Sequence, residues 1–234
     1  MGLFLEAGTF IAATAYFRRQ VLGVLKALIG KGDSESRLLL KFLVVATAVT
    51  AVLGVVIYKV VSESLTGPAL GLPMIALGCI LIGDGALITL ARGRRTPTRS
   101  LSDLRVRDMI IIGFAQGIAA FPGVSRSGAT VSTMLLMGVK PEDSFKLSFI
   151  ALIPASIGAA GVTVLLSKTS VGSVVTTLTA PIIILAVLVA IVVGLISIRT
   201  LLRAAGSKRI ALLAFVLGIL AIFSGVSSIY FGVG

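Results

Sequence analysis

The sequence has 234 residues, of which 57% are apolar and only 13% are charged, and its formal net charge is +12. A water-soluble domain carries charge on about a quarter of its residues, so this composition excludes a chain whose whole surface faces water. Nucleic-acid binding is not indicated either, because the basic residues lie in the connections between apolar runs and not on one exposed face.

Apolar runs recur along the chain, several of them near the ~20 residues that cross a bilayer as a helix. They cover residues 3–17, 38–58, 69–91, 109–124, 147–167, 178–198 and 210–232. The first run is short, since 15 helical residues rise only about 22 Å. It is followed directly by Arg18 and Arg19 without a small-residue cleavage site, which predicts a retained helix and not a signal peptide. Cys79 lies inside a run as the single cysteine, so no disulfide framework is available.

Residues 109–138 form an apolar stretch of unusual length, too long for one span and too short for two. The pair Pro122-Gly123 near its middle predicts a break in the helix. Two arms of about 13 residues would each rise about 19 Å. The stretch therefore predicts a re-entrant helical hairpin that enters the bilayer and returns to the same side.

The distribution of basic residues favours this hairpin over a full span. With a hairpin, 18 lysines and arginines lie on one side of the membrane and only Lys59 and Lys168 on the other, whereas a full span divides them 13 to 7. Basic loops stay in the cytoplasm, so we expect both termini outside. Arg126 is left at the tip of the hairpin, inside the membrane.

These patterns together predict an all-α membrane protein with six transmembrane helices plus one re-entrant helical hairpin. Residues 1–91 form a first half of three transmembrane helices, 92–107 a basic cytoplasmic linker, and 108–234 a second half with the hairpin 109–138 and three more transmembrane helices. Three spans per half invert the orientation, which is typical of inverted-topology repeats with a site at the membrane midplane. The first hairpin is missing from this pattern, and we expect it before Met1.

The hairpin tip carries the strongest candidate site. Residues 122–130 read PGVSRSGAT and combine a helix break, two glycines, three hydroxyl side chains and Arg126. Backbone N–H groups at a helix start attract anions, and a guanidinium binds two phosphate oxygens at once. The stretch therefore predicts an anion cradle. The alternative is structural: the hydroxyls cap the second half-helix, and Arg126 snorkels or pairs with a distant carboxylate.

Two acidic residues are further candidates for this site. Glu6 lies in the first apolar run, and Asp84 lies inside the third, in the segment Ile82-Gly83-Asp84-Gly85. An acid within a membrane helix is a functional candidate, although Asp84 is equally compatible with a structural partner of Arg126 or of a backbone group. The other acidic residues fall in or beside loops and are expected to be solvated.

The string PGVSRSGAT, with Gly113, Gln116 and Gly117 before it and Met137-Gly138 after it, resembles the second signature of the undecaprenyl-diphosphate phosphatase (bacitracin-resistance) family. Residues 5–19, LEAGTFIAATAYFRR, are similar to that family's segment LxxGTxxAxxxYFR. The resemblance implies a multi-pass enzyme of the cell membrane that removes the terminal phosphate of a polyprenyl diphosphate, so that the lipid carrier is recycled for cell-wall or glycan synthesis.

The resemblance also implies roles for individual residues. Ser125, Arg126, Ser127 and Thr130 would bind phosphate and act in catalysis, and Gln116, Gly123 and Gly128 would line the substrate site. Mg²⁺ or Ca²⁺ is expected on the diphosphate, with protein ligands unknown. The family's first signature, EGxxEFxPxSSxGH, is not matched and the chain has no histidine, so Glu6 and Asp84 are candidates for acidic residues that substitute for it.

Two other functions remain open. The scaffold also suits a non-enzymatic translocator of carrier lipids or organic anions, since inverted repeats with broken helices are a transporter architecture. The other open function is that of a degenerate relative, which binds the lipid head group but does not change it chemically. The expected partners are polyprenyl diphosphate and membrane lipids, with no nucleic acid, and a homodimer is left open.

Overall fold

The computed structural model describes residues 2–64, 71–94, 97–120, 125–166, 180–205 and 209–231. Within these ranges the backbone is helical apart from short connections and one isolated bridge between Arg99 and Val139. The helices are α1 Gly2–Tyr16, α2 Arg18–Leu28, α3 Ser34–Ser64, α4 Gly71–Arg94, α5 Val106–Ile118, α6 Arg126–Leu136, α7 Pro141–Leu166, α8 Ala180–Ala204 and α9 Arg209–Phe231, with a short 3₁₀ helix at Leu101–Asp103. The predicted all-α class is confirmed for the described residues.

Three helices in the described part of the chain are long and apolar enough to cross a membrane. They contain the stretches Ser34–Ile57, Pro141–Gly161 and Ile183–Ala204. Shorter apolar stretches lie in α4, at Met74–Gly83, and in α9, at Phe215–Tyr230. A multi-helical membrane protein is supported, while the count of six spans stays a prediction.

One helix was not predicted from the sequence. The connection after the first apolar run contains α2, where basic residues at Arg18, Arg19 and Lys26 alternate with Leu22 and Leu25. Both leucines are more than half exposed. An amphipathic helix of this kind lies along a membrane surface more readily than it crosses one.

The helices pack in pairs around one buried core. The closest pairings are α4 with α9, α3 with α5, and α1 with α8, while α6 packs on α5, α7 and α4. Fully buried side chains at the centre come from α3, α5, α6 and α7: Phe42, Met109, Ile112, Met134 and Ile150. Large apolar side chains on α8 and α9 point outward, as a surface facing lipid requires.

Small residues allow the closest helix approaches. A Cβ added at Gly78 on α4 would meet Ile222 and the Gly218 carbonyl of α9, and one added at Gly218 would meet Ile82 and the Gly78 carbonyl. The two contacts are reciprocal: each glycine faces the isoleucine that lies four residues after the glycine of the other helix. Small residues at such crossings are typical of helix packing in membranes.

Helices α5 and α6 form a hairpin whose two open ends are held by Arg99. Its guanidinium donates to the Met137 carbonyl at the end of α6 and forms an ion pair with Asp108 in the first turn of α5. Burial alone would raise the pKa of Asp108, but the Arg105 backbone N–H and the Arg99 guanidinium outweigh it and lower the pKa below its ordinary value. The hairpin base is therefore fixed by a charged contact.

Candidate functional site

Arg126 is the first residue of α6, directly after the predicted break. Ser125 precedes it as the N-cap, and its Oγ accepts a hydrogen bond from the Gly128 N–H at 3.2 Å. Serine is among the preferred residues here because its side chain satisfies a backbone donor that the helix leaves unpaired. The local sequence thus starts α6 at the point where Arg126 extends from its first turn.

Two other helices supply the partners of the Arg126 guanidinium. Its Nη2 lies 3.4 Å from Glu6 Oε1 on α1, and its Nη1 donates to Ser156 Oγ on α7, also at 3.4 Å. The Arg126 and Glu6 side chains are 29% and 33% exposed. Both contacts are near the upper limit for hydrogen bonds. The guanidinium is therefore loosely held and partly accessible, at the meeting point of α1, α6 and α7.

Arg126 lines a cavity of about 300 Å³ between α3, α5 and α7. The polar residues in its wall are Thr47 and Thr50 on α3, Gln116 on α5, and Arg126 itself. Small residues form most of the remaining wall, including Gly54, Gly117 and Ala155, so the space is open. A second hollow of about 250 Å³ lies beside Glu6, Phe10 and Ser156. Arg126 is thus bordered by open space near Gln116 and near Glu6.

A larger hollow, about 430 Å³, lies elsewhere, between the first turns of α3 and α7 and the 3₁₀ helix. Its wall includes Glu35, Asp143 and Lys146. Two carboxylates against one ammonium disfavour an anionic ligand, because a phosphate there would be repelled. The smaller cavity beside Arg126 is the better anion site despite its size.

The structure brings several predicted residues together at Arg126. Ser125 adjoins it, Glu6 pairs with it, and Gln116 shares its cavity. Ser127 and Gly128 lie in the same first turn and are half-buried. Both contacts of the structural alternative, a capping serine and a distant carboxylate, are therefore present, and the assignment to phosphate binding stays a prediction.

Thr130 differs from the other predicted residues because its hydroxyl is used inside the protein. The side chain is 1% exposed. Its Oγ1 lies 3.0 Å from the Arg126 carbonyl and 2.6 Å from Ser148 Oγ on α7. The contact with Ser148 joins α6 to α7 at the position one helical turn after Arg126.

Two predicted site residues cannot be placed. Gly123, at the hairpin tip, lies outside the described residues, and so does the side chain of Asp84, whose backbone belongs to α4.

The described part of the site does not fit a divalent cation held by the protein. Among the described residues, no three histidine, cysteine, aspartate or glutamate side chains lie close enough together to hold a metal ion. Around Arg126 the described carboxylate is that of Glu6, and it faces a guanidinium. Mg²⁺ and Ca²⁺ are bound mainly by oxygen ligands that include carboxylates.

Comparison with known proteins assigns the chain to a family. The profile of the bacitracin resistance protein BacA matches residues 1–223. The chain belongs to the BacA family. Within it, the chain is similar to the undecaprenyl-diphosphatase of Saccharolobus solfataricus, with 49% identity over 228 residues that cover 97% of this chain and 81% of the relative. The undecaprenyl-diphosphatase of Sulfurisphaera tokodaii is also similar, with 41% identity over 97% of this chain and 82% of the relative. That of Pyrobaculum aerophilum is 39% identical over 99% of this chain and 84% of the relative.

The BacA signature is visible in the sequence, but the surroundings of Arg126 also include residues from neighbouring helices that no sequence pattern indicated. Ser156 contacts Arg126, Ser148 contacts Thr130, and Thr47 lines the cavity. Their common signal is a hydroxyl side chain within an otherwise apolar helix. That signal is weak, because serine and threonine also bond to the carbonyl one turn earlier and need no other partner.

Proposed function

We propose that this chain is an integral membrane polyprenyl-diphosphate phosphatase, which releases the terminal phosphate of a lipid carrier diphosphate. Membership of the BacA family and the names of its relatives support the reaction class. The observation that carries the proposal for this chain is Arg126, a partly accessible guanidinium at the start of a helix and in the wall of a cavity.

The contacts of Arg126 suit exchange with a phosphate. A terminal phosphate carries more negative charge than one carboxylate and accepts two parallel hydrogen bonds from a guanidinium. It would therefore replace Glu6 and Ser156 as the partner of Nη2 and Nη1. The first turn of α6 adds backbone N–H groups and the positive end of the helix dipole.

Catalysis by these residues is electrostatic. As the bond to the bridging oxygen breaks, negative charge develops on the phosphoryl oxygens, and Arg126 with the start of α6 stabilises it without reorganisation. Ser125 and Ser127 lie in the same turn and act as hydroxyl donors to the phosphate. Gln116 lies in the wall of the same cavity as Arg126, and Gly128 lies in the first turn of α6.

For the membrane arrangement we propose six spans and one re-entrant hairpin, with the basic loops in the cytoplasm and the protein in the cell membrane. The lengths of α5 and α6 support it, because 13 and 11 helical residues rise about 20 and 17 Å, less than the ~30 Å hydrocarbon core. Arg99 holds both open ends of the hairpin on one side. The reciprocal contact of Gly78 and Gly218 supports an inverted repeat.

Phosphate release from a long-chain polyprenyl diphosphate by the detergent-purified chain tests the function. We expect release by the wild type and at least a hundredfold loss in Arg126→Ala, typical of removing a donor that stabilises developing charge. Arg126→Lys keeps the charge but not the two parallel bonds, so partial activity is expected. Arg107→Ala removes an exposed arginine on α5 and serves as the control.

Assays with and without Mg²⁺, Ca²⁺ or a chelator test the metal expected from the family resemblance. Full release by Arg126→Ala would contradict the proposal. Transport of labelled lipid diphosphate by the wild type in vesicles, without phosphate release, would support the translocator instead.

A further inference from the structure

Two buried polar atoms in the cavity beside Arg126 have no hydrogen-bond partner among the described residues. They are Thr47 Oγ1 on α3 and Gln116 Oε1 on α5. Gln116 is 2% exposed. Buried polar groups are nearly always paired, with protein or with water, because an unpaired group loses its hydration without compensation. Both atoms lie in residues that line the cavity with Arg126.

The orientation of the Gln116 amide follows from its other contact. Its Nε2 donates to the Ala151 carbonyl on α7 at 3.4 Å. A carbonyl oxygen accepts and does not donate, so the nitrogen end must face Ala151. The carboxamide oxygen is therefore the atom left without a partner among the described residues.

Thr47 also differs from its neighbour on the same helix face. Thr50 lines the same cavity, but its hydroxyl donates to the Ala46 and Gly113 carbonyls at 2.8 and 3.0 Å. That is the usual arrangement for a threonine in a helix. The Thr47 hydroxyl makes no hydrogen bond to the described residues, although Thr47 lines the same cavity.

The chemistry of the two atoms selects the kind of molecule. A carboxamide oxygen only accepts hydrogen bonds, so a phosphate oxygen, which also accepts, is not its partner. A threonine hydroxyl both donates and accepts. Water satisfies both groups, and a cavity of about 300 Å³ exceeds the ~30 Å³ that one water molecule occupies.

We infer that Thr47 and Gln116 bind the water that attacks the terminal phosphorus, an inference that rests on the proposed function. Arg126 holds the phosphate in the same cavity. The water oxygen bonds to the terminal phosphorus while the bond from that phosphorus to the bridging oxygen breaks. The electron pair leaves with the lipid monophosphate, and one water proton passes to an oxygen of the released phosphate. Thr47 and Gln116 exchange no proton and act by positioning the water.

Steady-state kinetics of Thr47→Val tests the inference, since valine keeps the shape of threonine and removes the hydroxyl. We expect kcat to fall about tenfold, which corresponds to about 1.4 kcal/mol, with KM within twofold of the wild type. Thr47→Ser should restore kcat because it returns the hydroxyl. Thr14→Val is the matched control: Thr14 Oγ1 is also buried without a partner among the described residues, and it lies on α1 outside the described cavities.

The possible results separate the two proposals. A rise in KM at constant kcat would mean that the hydroxyl binds substrate, and unchanged kinetics would mean that it does nothing; either result overturns the inference and leaves the phosphatase function intact. A wild type that releases no phosphate overturns both. If Thr47→Val is poorly folded by thermal unfolding, Thr47→Ala is measured against Thr47→Ser with the same expectations.

Discussion

Glu6→Gln tests whether the carboxylate on α1 competes with substrate for Arg126. Glutamine keeps the size of the side chain and removes its charge, so a phosphate no longer has to displace an anion from Nη2. We expect tighter binding of the diphosphate and a lower KM. The phosphate also escapes repulsion by a neighbouring carboxylate, which acts in the same direction.

The size of the effect follows from the geometry of the pair. At 3.4 Å and an effective dielectric constant of 20, Coulomb attraction is about 5 kcal/mol. Both side chains are about a third exposed, and solvent reduces such pairs to at most about 1 kcal/mol. The expected change is therefore roughly a fivefold decrease in KM.

The assay is phosphate release at varied polyprenyl diphosphate, with inorganic diphosphate as a competitor to report anion affinity separately. Glu35→Gln is the control, because Glu35 is 74% exposed and faces Lys146 at 3.8 Å, near the start of α7 and away from Arg126. A higher KM in Glu6→Gln would refute the reasoning, since it would show that Glu6 assists substrate binding by holding Arg126 in place.

Two further predictions concern stability, measured by thermal unfolding in detergent. Gly78→Ala places a methyl group against Ile222 and should cost about 1–3 kcal/mol, while Gly83→Ala on the same helix meets open space and should not lower Tm; equal Tm values would contradict this packing. Asp108→Asn should lower Tm because Arg99 loses its ionic partner. Because the pKa of Asp108 is lowered in the folded state, its ionised carboxylate stabilises the fold at pH values above its ordinary pKa of 3.8, and this stability is lost as the pH falls through the folded-state pKa. The Tm difference between wild type and Asp108→Asn should therefore shrink in acid, and a difference that widened would contradict the prediction.

The hairpin and its arginine could be predicted from local sequence, because length, a Pro-Gly break and charge distribution are all properties of neighbouring residues. Residues 109–138 were assigned to two arms, and α5 and α6 lie within or beside them. Helix α2 was not predicted, because its basic residues were used only to infer which side of the membrane they occupy and not to test for helical periodicity.

The composition of the site depends on tertiary contacts that no local pattern contains. Glu6 was a candidate because an acidic side chain within a membrane helix is energetically unfavourable. Its contact with Arg126, however, depends on how α1 packs on α7 and α8. Thr47 gave no signal, because a threonine in an apolar helix normally bonds to its own backbone. Only the structure shows that its hydroxyl makes no such bond to the described residues.

The contact between Arg126 and Glu6 has a consequence for the order of assembly. The two residues are 120 positions apart, whereas Arg99 reaches its hairpin partners over 9 and 38 positions. Local contacts form sooner because less chain entropy is lost in closing them. The hairpin can therefore form on its own during membrane insertion, with its arginine still lacking the Glu6 contact. Docking of α1 then adds that contact, so ion pairing at Arg126 reports that α1 has packed against the hairpin.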